Sequence, residues 1–333
     1  MYIDIFDQLY ISYSAVFASL GIFLNLFLIF LILFKSPSCL TPYTVFLANT
    51  SVTQLFYSIC YLLTIPRVLT IKLRVVVIYL GISQFFGHWW SYMIFVTMLH
   101  FVVNSFLSIM LSMIFRCISL QTLRFPTSAA ILMCSLAYLI PLSMVISSRD
   151  MEFTSNFTIN QVYTLWQIDN LDKYNTVVGA DVSQKSTLWI SFCVSVLFTP
   201  IYIVMYYCRS RILKMLERPG YLFNTSTTLQ IRKLVKALTV QSIIPSVTLF
   251  PASIIFVCTQ FHVIETCKFG YIIISLISLS STIDPLVTIY YVQPYRKYII
   301  DLLSDPRPAF SDRSHSYRSR SNSTLMMRNA AFV

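Results

Sequence analysis

The sequence predicts an all-α integral membrane protein folded as a seven-transmembrane helix bundle. Of its 333 residues, 56% are hydrophobic and only 11% are charged, whereas a soluble domain carries about 25% charged residues. The chain also contains 26 Phe and 21 Tyr, which suit the lipid core and its interfaces. Apolar runs of roughly 20 residues, the length needed to cross a bilayer, recur along the chain. Together these observations exclude a soluble or disordered protein.

The apolar runs define the elements in order. The predicted spans cover residues 10–34, 43–65, 88–114, 127–147, 188–208, 234–258 and 269–292. The apolar run 75–87 is too short to cross alone, and we expect it to form an interfacial lead into the third span. Residues 294–303 alternate basic and apolar faces at helical spacing, which predicts a short amphipathic helix on the membrane surface. The transmembrane domain is thus 1–303, and the Ser- and Arg-rich residues 304–333 are expected to be a disordered tail.

The distribution of positive charge predicts the orientation of the bundle. Most of the 24 Lys and Arg residues fall in the C-terminal tail and in the loops on its side of the membrane. Basic residues concentrate on the cytoplasmic side of membrane proteins. We therefore expect the N-terminus outside and the C-terminus in the cytoplasm.

The longest loop and the cysteines add little to the predicted fold and function. The loop 148–186 carries the sequon Asn156-Phe157-Thr158, which predicts an N-glycosylation site at Asn156. The 8 cysteines occur singly, without metal-ligand spacing, so neither a metal nor another cofactor is expected. Cys258 and Cys267 flank a short loop and either pair or remain free thiols.

Polar residues inside the predicted spans mark the interior of the bundle. In the third span Thr97, His100, Asn104, Ser108 and Ser112 recur every three or four residues and so share one helix face. That face is expected to look into the bundle, either to hydrogen-bond other helices or, at His100, to contact a ligand.

Asp284 is the one acid within the predicted spans. Pro285, which follows it, leaves backbone carbonyl groups without their helical hydrogen bonds. An ionisable group in hydrocarbon is costly and usually has a partner. The predicted partners are amides of the first three spans: Asn25, Asn49, Gln54 and Asn104. Asp284 and its surroundings are a candidate structural hub, conformational switch, or proton or ion site.

Three groups of segments resemble the nematode serpentine chemoreceptors, class delta of the Str superfamily of seven-transmembrane G-protein-coupled receptors. The resemblance covers essentially the whole chain up to the tail. The segments that carry it are Leu20-Gly21-Ile22-Phe23-Leu24-Asn25 with Lys35-Ser36-Pro37 and Tyr43-Thr44-Val45-Phe46-Leu47-Ala48-Asn49; Gln241-Ser242-Ile243-Ile244-Pro245 with Pro251; and Asp284-Pro285 with Pro294-Tyr295-Arg296-Lys297.

The resemblance implies a chemosensory receptor in the plasma membrane, in a sensory cilium, that binds a small environmental chemical outside and activates a heterotrimeric G protein inside. Neither enzymatic activity nor nucleic-acid binding is expected. Aromatic walls with few polar groups suit small, mostly apolar ligands. The candidate ligand-binding residues are Trp89, Tyr92, Phe95 and, near mid-depth, His100 of the third span, with Trp189, Tyr271 and Ser275 from the outer ends of neighbouring helices.

The predicted inner face supplies candidates for contact with the G protein. Where rhodopsin-like receptors carry an acid-arginine-tyrosine triplet, this chain has Phe115-Arg116-Cys117, so only the arginine carries over. The basic candidates on this face are Arg116, Arg209, Arg211, Lys214, Arg232 and Lys233.

A second function stays open on the sequence alone. A transporter or ion channel would use Asp284 and His100 as a proton or ion site. Transporters of this kind are commonly built from internal repeats. No repeat is evident in the sequence, which favours the receptor.

Overall fold

The computed structural model describes residues 5–36, 41–71, 73–119, 126–149, 174–217, 225–261, 263 and 268–304. The helices of this part are α1 (Ile5–Lys35), α2 (Thr41–Thr64), α3 (His88–Ser119), α4 (Thr127–Ala137), α5 (Leu139–Ser147), α6 (Lys185–Ser195), α7 (Phe198–Glu217), α8 (Thr225–Gln260), α9 (Phe269–Tyr291) and α10 (Gln293–Ser304). The strands are β1 (Pro66–Ile71), β2 (Arg74–Tyr79) and β3 (Val177–Asp181), and a 3-10 helix spans Ile82–Phe85.

The predicted helical membrane bundle is confirmed. Within the described ranges, six helical stretches are long and apolar enough to cross a membrane: Ile5–Lys35, Tyr43–Thr64, His88–Ile118, Thr127–Ser147, Lys185–Met215 and Phe269–Tyr291. Helix α8 contains a shorter apolar segment, Ser246–Gln260. Buried side chains from α2, α3, α8 and α9, among them Tyr61, Val103, Leu249 and Ile277, form one continuous core.

Two of the membrane stretches are broken shortly before a proline. Helix α4 ends at Ala137, four residues before Pro141, and α6 ends at Ser195, five residues before Pro200. Proline lacks the N–H that would bond four residues back, and its ring clashes with the carbonyl there. Each stretch therefore consists of two helices separated by one or two turn residues, whereas α9 continues through Pro285.

A three-stranded antiparallel sheet, in the order β1-β2-β3, lies where α2 ends and α3 begins. We call β1–β3 the cap sheet and this end of the bundle the sheet end. The all-α prediction omitted this sheet. Residues 75–79, expected to be an interfacial lead into α3, instead belong to β2. The run Val75-Val76-Val77-Ile78 is β-branched and buried on both faces, which favours a covered strand.

The two faces of the cap sheet pack against different cores. Val75 and Val77 belong to the main core with α3 and α9, whereas Val76 and Ile78 pack with Tyr10 of α1. Gly270 at the start of α9 lets that helix touch β1, because an added Cβ would lie 2.6 Å from the carbonyl oxygen of Val68. The sheet is thus held from both sides.

The compact helical body extends to Tyr295. Helix α10 begins one residue before and ends one residue after the predicted amphipathic helix. Of the described residues, 296–304 belong to a separate unit. Residues 305–333, which make up most of the predicted tail, lie outside the described residues, as do Asn156 and Cys267. Predictions for those residues therefore stay predictions.

Candidate functional site

An apolar cavity lies beneath the cap sheet. Its empty volume is about 840 Å³, including the part that opens to the outside. All three strands contribute to its lining, together with α3, α6, α8, α9 and the first residue of α7. The lining residues are Val68, Val75, Val77, Tyr92, Phe95, Val96, Leu99, Val178, Ala180, Thr187, Ile190, Ser191, Val194, Ser195, Phe198, Leu249, Ala252, Ser253, Phe256, Ile273, Ile274 and Ile277.

The cap sheet presents an apolar face to this cavity. Val68 pairs with Val77 and Val77 with Val178 across the strands, so these three side chains share one face. Tyr79 at the end of β2 is fully buried, with its ring 6.3 Å from that of Phe95. Burial raises the pKa of the Tyr79 hydroxyl well above its usual value, so this side chain, which lies next to the cavity residue Phe95, stays uncharged.

On the opposite face of the cap sheet, the buried carboxylate of Asp7 links the sheet to neighbouring helices. Asp7 of α1 accepts hydrogen bonds from Tyr174 at 2.7 Å and from Tyr271 at 2.6 Å. Its ion pair with Arg67 of β1 spans 3.3 Å, and the Arg67 guanidinium lies 4.3 Å from the centre of the Tyr271 ring. We call Asp7, Arg67, Tyr174 and Tyr271 the Asp7 cluster. It joins α1, the cap sheet and α9.

The structure places some of the predicted ligand-binding residues in the cavity lining and others outside it. Tyr92 and Phe95 line the cavity. Trp89 is 39% exposed and donates to the carbonyl of Arg149 at 3.3 Å. Trp189 is 38% exposed and donates to the Ser143 hydroxyl at 2.9 Å. Neither tryptophan is among the lining residues.

The other three predicted ligand residues also lie outside the cavity lining. His100 packs against the rings of Phe101 and of Tyr138, the turn residue between α4 and α5. Tyr271 belongs to the Asp7 cluster, and Ser275 donates to the Tyr271 carbonyl at 2.8 Å. The cavity and the predicted set therefore share only Tyr92 and Phe95.

The partner of Asp284 is the glutamine of α2. Gln54 donates to Asp284 at 2.5 Å and to Ser105 of α3 at 3.2 Å. The three asparagines, which were also predicted as partners, bond elsewhere. Asn25 donates to the carbonyls of Gly21 and Ser281 at 2.8 and 3.0 Å.

The other two asparagines join α3 to α2 instead. Asn49 donates to Ser108 at 2.5 Å, and Asn104 donates to Thr53 at 3.2 Å. Tyr138 donates to Asn49 at 3.0 Å. The polar stripe of α3 thus faces the interior, as predicted, and it hydrogen-bonds a neighbouring helix.

The end of the bundle opposite the sheet carries the predicted basic residues, and we call it the Arg116 end. Arg116 itself is 7% exposed and lies over the ring of Tyr43, 3.9 Å from its centre. Arg211 and Lys214 of α7 are exposed, and Arg209 is half-buried. The side chains of Arg232 and Lys233 lie outside the described part.

Sequence reasoning missed the strand residues and the hydroxyl-bearing face of α6. A usable signal existed in α6, because Thr187, Ser191 and Ser195 recur every fourth residue and so lie on one helix face. No comparable signal marked Asp7, which the sequence placed outside the first span. The structure buries it completely.

The architecture belongs to a known class of membrane protein. A crystal structure of squid rhodopsin matches with a TM-score of 0.64, covering 91% of this chain and 88% of that chain at 14% identity. At that identity the likeness concerns the fold alone. The protein is therefore a multi-pass membrane protein with the seven-transmembrane receptor fold.

The family of the protein is shown by relatives with higher sequence identity. The family described as serpentine type 7TM GPCR chemoreceptor Srd matches residues 10–301. Serpentine receptor class delta-32 of Caenorhabditis elegans is 73% identical over 100% of both chains. Class delta-33 of the same nematode is 40% identical over 90% of this chain and 88% of its own. The chain belongs to the class delta serpentine chemoreceptors, which confirms the resemblance and the prediction of a receptor rather than an enzyme.

Proposed function

We propose that this receptor binds a small, mostly apolar environmental chemical in the cavity beneath the cap sheet and activates a heterotrimeric G protein at the Arg116 end. In this proposal the sheet end faces the outside and the C-terminus the cytoplasm, in the plasma membrane of a sensory cilium. The observation that carries it is the cavity itself. Ligand sites are typically concave and mostly apolar, with a few polar groups, and the lining of this cavity has that composition.

The position of the cavity supports coupling to the far end of the bundle. Its lining includes Phe95 of α3 and Phe198 of α7. The same two helices carry Arg116 and Arg211 further along. A ligand that fits one arrangement of these helices better than another shifts the population towards it. The Arg116 end then presents a different surface to its partner.

Release of Arg116 is the step that we assign to activation. Its guanidinium is covered by Tyr43 and is largely inaccessible. A G protein contacts this arginine only when α2 and α3 separate at that end. The exposed Arg211 and Lys214 are available without such a movement.

A reporter-cell screen tests the proposal. The receptor is expressed with a panel of G proteins, and volatile and soluble chemicals are scored for agonist-dependent nucleotide exchange. Val194→Phe fills the cavity and should abolish the response to any agonist found. Val196→Phe, two residues away and 53% exposed, is the matched control and should respond normally at equal surface expression.

Two outcomes would overturn the proposal. One is an agonist response that Val194→Phe leaves unchanged, because the ligand then binds elsewhere. The other is ligand-independent current or substrate uptake without nucleotide exchange, which would favour a channel or transporter. Antibody accessibility of tags at both ends of the chain in intact cells tests the orientation.

A further inference from the structure

The lining of the cavity beneath the cap sheet, as far as the described residues define it, carries no charged side chain. Its residues are aliphatic, aromatic or hydroxyl-bearing. Transfer of an unpaired charge into such surroundings is strongly unfavourable. The occupant that fits is therefore uncharged.

Residues that carry hydroxyl groups follow one side of the cavity along α6. Thr187, Ser191 and Ser195 all line it and share one helix face because they recur every fourth residue. At a rise of about 1.5 Å per residue, Thr187 and Ser195 lie about 12 Å apart along the helix axis. One ligand oxygen cannot reach both of them.

Two of these hydroxyls lack a hydrogen-bond partner. The hydroxyl oxygens of Thr187 and Ser195 are buried, and neither bonds to any group in the described part of the chain. Other hydroxyls of the helices do have partners: Thr248 donates to the Ile244 carbonyl at 3.0 Å, and Ser275 donates to the Tyr271 carbonyl at 2.8 Å. A buried hydroxyl without a partner is unfavourable. A ligand that supplies the missing partners is bound more tightly for that reason.

We propose that the ligand is an elongated, uncharged molecule with a hydrogen-bonding oxygen near each end, one held by Thr187 and the other by Ser195. The apolar middle of the molecule lies against Ile190, Val194 and the facing walls. Each hydroxyl donates to a ligand oxygen and, where the ligand carries an O–H, also accepts from it. This inference depends on the proposed function of the cavity and specifies the chemistry of its ligand.

Linear α,ω-diols of increasing length are the probes for this arrangement, with monoalcohols and alkanes of equal carbon number as comparisons. Binding to the full-length receptor in nanodiscs is measured by titration calorimetry. We expect affinity to peak at the diol whose oxygens span the distance between Thr187 and Ser195. At that length the diol should bind about tenfold more tightly than the monoalcohol, as expected for one additional hydrogen bond.

Substitutions at Thr187 and Ser195 test whether each hydroxyl binds one end of the ligand. Thr187→Val and Ser195→Ala should each weaken binding of the best diol about tenfold while leaving alkane binding unchanged. Thr248→Val and Ser275→Ala remove hydroxyls that have backbone partners and do not line the cavity. With these control variants, diol binding should stay as in the unaltered receptor.

The inference is overturned if no diol binds, if affinity shows no optimum with length, or if the Thr187→Val, Ser195→Ala double variant binds the best diol as tightly as the unaltered receptor. Failure of the cavity as the ligand site is a different result. It is recognised when Val194→Phe leaves the response to a functional agonist unchanged.

Discussion

The guanidinium of Arg116 in α3 lies 3.9 Å from the centre of the Tyr43 ring in α2. A cation over an aromatic face contributes about 0.5–2 kcal/mol, with the larger values at desolvated sites. Arg116 is buried, so the contact lies at a desolvated site. It joins α2 to α3 at the Arg116 end.

Tyr43→Leu should raise ligand-independent nucleotide exchange several-fold, because it removes the aromatic face that holds Arg116. Tyr43→Phe keeps that face and is the control, with basal exchange close to that of the unaltered receptor. Exchange is measured in membranes at matched receptor density. Equal basal rates in Tyr43→Leu and the unaltered receptor would contradict the role assigned to this contact.

Asp7→Asn should lower the thermal stability of the purified receptor markedly. The substitution leaves Arg67 buried without its counter-charge, and breaking a buried ion pair from one side costs about 3–5 kcal/mol. Thermal unfolding in detergent measures the effect. The exposed Asp301 offers a control, since Asp301→Asn should leave the melting temperature unchanged.

A double-mutant cycle sharpens this prediction. If the Asp7 cluster acts as a unit, Arg67→Met should destabilise less in the Asp7→Asn background than alone. Strictly additive losses would show that Asp7 and Arg67 stabilise the receptor independently.

Asp284→Ala should impair agonist-dependent signalling while leaving surface expression measurable, because Asp284 and Gln54 link α9 to α2 and, through Ser105, to α3. Gln54→Leu should weaken signalling in the same direction. Dose-response curves provide the measurement. Asn25→Leu is a useful comparison, because Asn25 of α1 bonds to α9 through the Ser281 carbonyl and not through Asp284. An unchanged dose response in Asp284→Ala would remove its assignment as a switch.

Gly270→Ala should loosen the cap sheet. The new Cβ would lie 2.6 Å from the carbonyl oxygen of Val68, so α9 and β1 must separate, and overpacking of this kind costs about 1–3 kcal/mol. We expect a lower melting temperature and faster ligand dissociation. At Gly21 the nearest atom is the side-chain oxygen of Ser58, which can rotate, so Gly21→Ala should be milder. Unchanged dissociation from the Gly270→Ala receptor would contradict the proposed contact.

The helices of the bundle were predictable because each needs only a local apolar run, and the structure places α9 and α10 close to the expected bounds. The interior face of α3 was likewise predictable from spacing. The cap sheet was not, since β2 pairs with β3, about a hundred residues later in the chain. An apolar run of this length fits a strand or a helix until its pairing partner is known.

Only the apolar character of the cavity was predictable from the sequence. Aromatic and aliphatic walls followed from composition, and Tyr92 and Phe95 of the predicted set line the cavity; whether they bind a ligand stays a prediction. Trp89 and Trp189 lie at the surface because an indole N–H bonds well to nearby groups at the helix ends. The hydroxyls of α6 become informative only once the structure shows which of them lack partners.

The cap sheet also bears on how quickly the receptor follows its surroundings. Its strands are joined by backbone hydrogen bonds along their length, so widening the existing opening on the side of the sheet must displace several residues together. We expect slow exchange of any ligand that needs this widening. A receptor covered in this way would register sustained exposure to such a ligand more faithfully than brief pulses.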